Sequence, residues 1–155
     1  MRLEVTRRSD LATRALVALD AAERGPGGSR LKSAALAAAV GTTAGFIPQV
    51  LGPLVAAGWV RSDPGPTGGY SLAARLADIT LLEVIEAVEG TTDAGRCVLA
   101  DRPCTPAEPC ALHEPWTRAR GQLLGELAAT TIADIADQLP AVTVGSRRPG
   151  PTPAR

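Results

Sequence analysis

Aromatic side chains are almost missing: two Trp, one Tyr and one Phe in 155 residues. The core must therefore be built from Ala, Leu, Val and Ile, and the length allows one modest domain with appendages. So thin a core leaves apolar surface for a partner subunit to cover. No run of about 18 apolar residues occurs, which excludes a transmembrane helix. The opening M-R-L-E-V-T-R-R-S-D has no apolar stretch of the secretory type. There is one lysine, Lys32, and one histidine, His113. Neither G-x-G-x-x-G nor G-x-x-x-x-G-K is present, and no Ser/His/Asp set can form without spending that histidine. The chain is expected to be no enzyme and to take no small-molecule substrate. Cysteine occurs three times, an odd count that argues against a disulfide framework. In a cytoplasmic chain, which is the expectation, such a set points to metal binding.

Net charge is zero, but it is not evenly spread. Residues 1–61 carry eight basic and four acidic side chains, and residues 62–155 carry eight and twelve. The basic front half suits a polyanion. Within it, Ser9 reads as an N-cap with Asp10 in the first turn. Leu11, Ala15, Ala18, Leu19 and Ala22 recur at helical spacing, which predicts a helix over about 8–24. Gly25-Pro26-Gly27-Gly28 ends it. A second helix is predicted from Leu31 to Val40, stopped by Gly41. A third follows from a cap at Thr42 or Thr43 to Gly58, with Pro48 in its first turn and Pro53 inside. Trp59–Arg61 and Tyr70–Leu72 flank a Pro/Gly turn and read as a hairpin. Helix, helix, helix, hairpin is a winged helix-turn-helix, expected over 1–78. Such a fold can serve DNA binding or protein packing; the charge split favours DNA. Thr80-Leu81-Leu82-Glu83 is a capping box opening a linker helix within 79–95.

Residues 96–113 hold all three cysteines and the histidine. Cys97 and Cys104 are six residues apart, Cys104 and Cys110 five, Cys110 and His113 two. Four soft ligands in one Pro-rich loop fit a metal or iron–sulfur centre. Structural zinc sites commonly show a tight C-x2–4-C knuckle, which this loop lacks, so a cluster fits better. A zinc-stapled DNA-binding module and an iron–sulfur electron carrier remain the alternatives.

Taken together, M-R-L at the start, the wing G-P-T-G-G-Y (65–70), I-T-L-L-E-V-I-E-A-V-E-G (79–90) and R-C-x6-C-x5-C-x2-H-x2-W (96–116) resemble the IscR/NsrR-type winged-helix iron–sulfur regulators of bacteria. The resemblance covers roughly residues 1–137. It implies a homodimer on palindromic promoter DNA, with cluster state setting affinity in response to oxidants, nitric oxide or iron–sulfur supply. It implies Cys97, Cys104 and Cys110 as cluster thiolates. His113 matches the fourth ligand of a two-iron (2Fe-2S) cluster, the favoured form. Asp10 matches the residue that a partner subunit lends to a four-iron (4Fe-4S) cluster, the other possibility. Departures are the six-residue first spacing where five is usual, Pro48 where a Glu tunes DNA choice, and Pro64 where the wing usually carries an Arg. With no Lys or Arg between Thr42 and Ala57, phosphate contacts fall to Arg7, Arg8, Arg30, Lys32 and Arg61. Base contacts fall to Thr43, Phe46 and Gln49, and Thr67 and Gly68 lie at the wing tip. Gln can pair with adenine and Phe can meet a thymine methyl.

Residues 114–138 read as a dimerisation helix plus a short last helix. Glu114-Pro115 opens the first with Pro at its first position. Trp116, Ala119, Leu123, Leu124 and Leu127 form an apolar stripe too long for this domain to cover alone, which predicts a two-fold dimer. Thr131 caps the short helix to about Asp137. Residues 139–155 are Pro/Gly-rich and read as a disordered tail. The expected fold class is mainly α with a small β-hairpin wing.

Overall fold

A computed structural model describes residues 5–25, 30–92, 97, 99, 103–104 and 109–139. Among the described residues the architecture is six α-helices and one antiparallel hairpin, most of them packed on the first helix, α1 (Arg7–Arg24). Leu11, Ala12, Ala15, Leu16, Ala18 and Leu19 are buried along it, as the helical spacing requires. Its cap is Thr6, not Ser9: the Thr6 hydroxyl accepts from the Ser9 amide at 3.3 Å. Ser9 is one turn inside and wholly buried, and its hydroxyl is spent on Glu89.

The second helix, α2 (Ser33–Val40), is shorter than expected. Leu31, predicted as its start, is extended and exchanges both backbone bonds with Tyr70, at 3.0 and 2.9 Å. An exposed hairpin edge thus gains a partner, and that pairing outcompetes a further half-turn of helix. Gly41 ends α2 in the left-handed conformation (φ 77°), its amide and that of Thr42 both donating to the Ala37 carbonyl.

The third helix, α3 (Ile47–Ala56), begins three to four residues later than a Thr43 or Thr42 cap would place it. The Thr43 carbonyl is taken by the Phe46 amide in a turn, and Pro48 lies at the helix start, where a missing N–H costs nothing. Pro53 sits inside α3, yet the helix continues past it to Ala56. Ile47, Val50, Leu51 and Leu54 are fully buried, and that packing outweighs the one backbone bond Pro53 removes.

The hairpin is β1 (Val60–Asp63), which starts one and ends two residues later than expected, and β2 (Gly69–Leu72), which gains one residue at its start, with Val60 opposite Leu72 and Asp63 opposite Gly69. Gly68 is required at the turn: a Cβ there would lie 2.1 Å from the Asp63 carbonyl oxygen. The hairpin is tied to α1 by Glu23, whose carboxylate accepts from the Leu72 amide at 2.7 Å.

A single 3-10 turn, Leu76–Asp78, leads to α4 (Leu81–Glu89). The expected Thr80/Glu83 capping box is present in both directions. The next helix, α5 (His113–Ala129), starts earlier than expected, so Pro115 is its third residue and not its first. The third amide of a helix also lacks an intrahelical acceptor, so proline costs little there. Thr131 caps α6 (Ile132–Ala136) through a second box with Asp134.

The strand-like segments before α4 and α6 lie side by side: Leu81 N–H donates to Thr130 O at 2.8 Å and Ile132 N–H to Ile79 O at 2.9 Å. This puts Ile132 at 0% exposure in the same core as Leu16, Leu51 and Ile79. The short last helix is therefore part of the winged-helix core. By contrast, no residue of α5 is buried within the chain. Of residues 139–155, read as a disordered tail, Leu139 is instead half-buried against the core and 140–155 lie outside the described residues, as do Pro26, Gly27 and Gly28 of the first predicted loop. Among the described residues no helix is long and apolar enough to cross a membrane.

Candidate metal centre and nucleic-acid interface

The cysteine loop joins the free ends of two helices that pack on one another, α4 and α5. Glu86 of α4 receives the amide of Thr92 at 3.0 Å and its hydroxyl at 2.7 Å, so the chain turns back on leaving the helix. Those two donors hold the Glu86 carboxyl below its ordinary value of 4.5. At the other end the His113 amide donates to the Cys110 carbonyl at 3.0 Å, making Cys110 part of the turn that opens α5.

Between these anchors the Sγ atoms of Cys97, Cys104 and Cys110 lie within 4.8 Å of one another, all partly exposed. The Leu99 amide donates to Cys97 Sγ at 3.4 Å. The Cys104 thiol is pulled both ways. The Cys110 backbone amide is the largest influence and lowers its pKa. Hydrogen bonds with the Cys97 and Cys110 thiols, desolvation and the Cys110 charge together raise it, and the net value lies above the ordinary 9.0. Thiolates this close would repel one another, and a cation between them would relieve that repulsion.

His113 is the first residue of α5 and half-exposed; it is not within the sulfur group. Asp10 lies on α1, exposed, and is gripped by Arg14 Nε at 2.9 and 3.0 Å. The structure thus gathers the three cysteines and leaves His113 and this chain's own Asp10 outside that group.

In the basic half, Arg7, Arg8, Lys32, Thr43, Gln49, Arg61 and Thr67 are exposed, and Phe46 is half-buried against the core. The Arg7 guanidinium reaches the Gly41 carbonyl at 3.4 Å, linking α1 to the turn before α3. Arg30 is exposed but ion-paired with Asp63 at 3.1 Å. That pair is off-line for a hydrogen bond, and Asp63 Oδ2 is otherwise buried without a donor. Gly68 is buried beneath the hairpin turn. Sequence reasoning missed the Ser9–Glu89, Thr92–Glu86 and Arg30–Asp63 contacts. Only the second, a Glu one turn before a Gly-Thr-Thr exit, left a local signal.

A helix-turn-helix whose last helix is followed by a two-stranded wing defines the winged-helix class. Residues 5–138 match the Rrf2 family, described as iron-dependent transcriptional regulators, and the chain belongs to that family. The family is one of regulators, not enzymes. An inferred HTH-type transcriptional regulator of Neisseria meningitidis is 34% identical over 93 residues, which span 60% of this chain and 62% of that protein. One from Mycobacterium tuberculosis is 31% identical over 135 residues, 86% of this chain and 81% of that one. The HTH-type transcriptional regulator IscR of Escherichia coli is 30% identical over 108 residues, 70% and 66% of the two chains. Among solved structures, CymR, the global cysteine regulator of B. subtilis, superposes with a TM-score of 0.70 at 23% identity, covering 90% of this chain and all of that one. T. potens IscR gives 0.64 at 21%, covering 94% of each. These likenesses establish the winged-helix fold expected from the sequence.

Proposed function

We propose that this chain is a cytoplasmic, homodimeric DNA-binding transcription regulator whose hold on promoter DNA is governed by an iron–sulfur cluster on Cys97, Cys104 and Cys110. The observation that carries it is the convergence of three Sγ atoms within 4.8 Å at the junction of α4 and α5. Thiolates are the ligands such clusters take, and an amide donor such as that of Leu99 to Cys97 Sγ is the kind that tunes their potential. The donor set therefore fits the group. The favoured form is a 2Fe-2S cluster with His113 as fourth ligand. A 4Fe-4S cluster using Asp10 of the partner subunit is the other form, and it requires that carboxylate to leave its arginine. When bound, the cluster supplies a centre that oxidants and nitric oxide alter.

The chain's own residues do the rest. Fixing Cys110 fixes the first turn of α5, whose far end is already held by the Thr80–Thr131 bridge. Held at both ends, α5 presents one face to a second copy, with Leu112 and Leu123 44% and 43% exposed in the lone chain. Two α3 helices would then sit about one DNA turn apart. Arg7, Arg8, Lys32 and Arg61 would meet phosphates, while Thr43, Phe46 and Gln49 face bases and Thr67 the wing's groove. Arg30 would reach a phosphate only by sharing or leaving Asp63. Gly68 serves the interface by closing the turn that carries Thr67.

A single zinc ion is the second reading. Bonds of about 2.3 Å in a tetrahedron imply S···S separations of about 3.8 Å, which the triad also accommodates. A gel shift on the protein's own upstream region, loaded and stripped anaerobically, tests the proposal. Affinity should differ between the two states, and Cys104→Ala should abolish the difference. No shift in either state at low salt would sink the regulator reading.

A further inference from the structure

Glu89 is the last residue of α4, eight positions before Cys97, and its carboxylate is turned to another helix. It lies on the first turn of α1. Glu89 Oε1 accepts from the Ser9 hydroxyl, a short contact, and from the Thr6 amide at 3.3 Å. Ser9 is wholly buried, so its hydroxyl has no water to turn to. Thr6 is itself the α1 cap. One carboxylate thus holds the cap residue and the buried serine at the positive end of an 18-residue helix.

That end of α1 is a junction. Arg7, next to the cap, reaches the Gly41 carbonyl in the turn that aims α3. On the other side Glu86, one turn before Glu89, holds Thr92 at the mouth of the cysteine loop. From loop to reading helix there is therefore a series of polar contacts linked by short stretches of helix backbone: Thr92–Glu86 on α4, Glu89–Ser9/Thr6 onto α1, and Arg7–Gly41 onto the turn. Each is a discrete hydrogen bond, and no apolar slide is needed to pass displacement along.

We propose that Glu89 is the positioning residue that couples the state of the cysteine loop to the DNA-reading half, by locking the start of α1 to the end of α4. This rests on the metal-controlled regulator reading above. When the loop is loaded, α4 is fixed at its exit and Glu89 holds Arg7 in register with Gly41. When the loop is empty, the end of α4 is freer and the lock loosens.

The test uses the full chain, reconstituted anaerobically with ferrous iron and sulfide, and a duplex selected from a random library by the parent protein. DNA affinity is measured loaded and stripped, with the visible spectrum and amide exchange over residues 7–13 as independent readouts. Site-to-site coupling is typically about 5- to 150-fold. In Glu89→Ala the loaded/stripped ratio should fall to within about twofold of unity, on the scale of such couplings, with the spectrum unchanged. Amide exchange over 7–13 should then no longer respond to loading. Glu89→Gln, whose amide oxygen can still accept from Ser9 and Thr6, should restore most of the ratio. Ser9→Ala, a smaller change that keeps the fold should Glu89→Ala not, should lose it too. Parent-like coupling in Glu89→Ala or Ser9→Ala with a normal spectrum overturns the role of Glu89 and leaves the regulator reading standing. No loaded/stripped difference in the parent overturns both.

Discussion

Ile132→Ala tests whether the short last helix is an appendage or core. Ile132 has 0% exposure, packed in the cluster that holds Leu16, Leu51 and Ile79. The substitution deletes three carbons, about 2.4 kcal/mol of transfer free energy at about 0.8 per group. The cavity left behind adds to this, giving about 3–4 kcal/mol within the usual range for Ile→Ala. Domains of this size are stable by about 5–15 kcal/mol, so a large fraction of stability would go. Urea unfolding at fixed protein concentration should show a lower midpoint with unchanged slope. The same change at Leu127, half-buried on α5, should cost less when the protein is dilute and more when it is concentrated and paired. A loss below about 1 kcal/mol for Ile132→Ala, typical of a surface position, would refute the placement of α6.

Leu123→Asp should shift the chain from dimer to monomer in sedimentation at micromolar concentration while far-UV circular dichroism stays unchanged; an unaltered dimer would remove α5 from the interface. Arg61→Ala should lower the slope of log affinity against log salt by about 1 per subunit without changing base preference, whereas Gln49→Ala should relax preference at one position and leave the slope alone. The carboxyls of Glu86 and Asp134 are both held below their ordinary values of 4.5 and 3.8, by Thr92 and Thr131 hydroxyl and amide donors. A group depressed in the fold contributes stability above its ordinary value and loses it as pH falls through the folded value. Thermal midpoints should therefore hold near neutrality and drop below about pH 4.5; Thr92→Val should reduce that acid sensitivity, and no change would deny the Glu86–Thr92 contact.

Where the determinants were local, the sequence was legible. The Thr80/Glu83 capping box, the Thr131 cap, the Gly41 stop and the apolar spacing of α1 follow from neighbours a few residues apart. The hairpin was legible in kind, with strand ends off by one or two residues because they depend on partners. Most of the errors come from partners distant in sequence. Ser9 looks like a cap, but Glu89, 80 residues away, claims its hydroxyl. Leu31 looks helical, but Tyr70 claims its backbone. Thr43 looks like a cap, but Pro48 sets a later start. For the centre, three cysteines in one loop announced themselves by type. That their sulfurs meet within 4.8 Å depends on α4 and α5 bringing the loop ends together, which spacing alone does not contain.

The central claim turns on what the three thiolates hold. The most direct measurement is iron and acid-labile sulfide per chain in anaerobically isolated protein, with its Mössbauer spectrum. The account predicts brown protein with two irons and two sulfides per chain for the favoured form, and loss of both in Cys104→Ala. Colourless protein that carries neither iron nor sulfide even after reconstitution, or one zinc in their place, would contradict it.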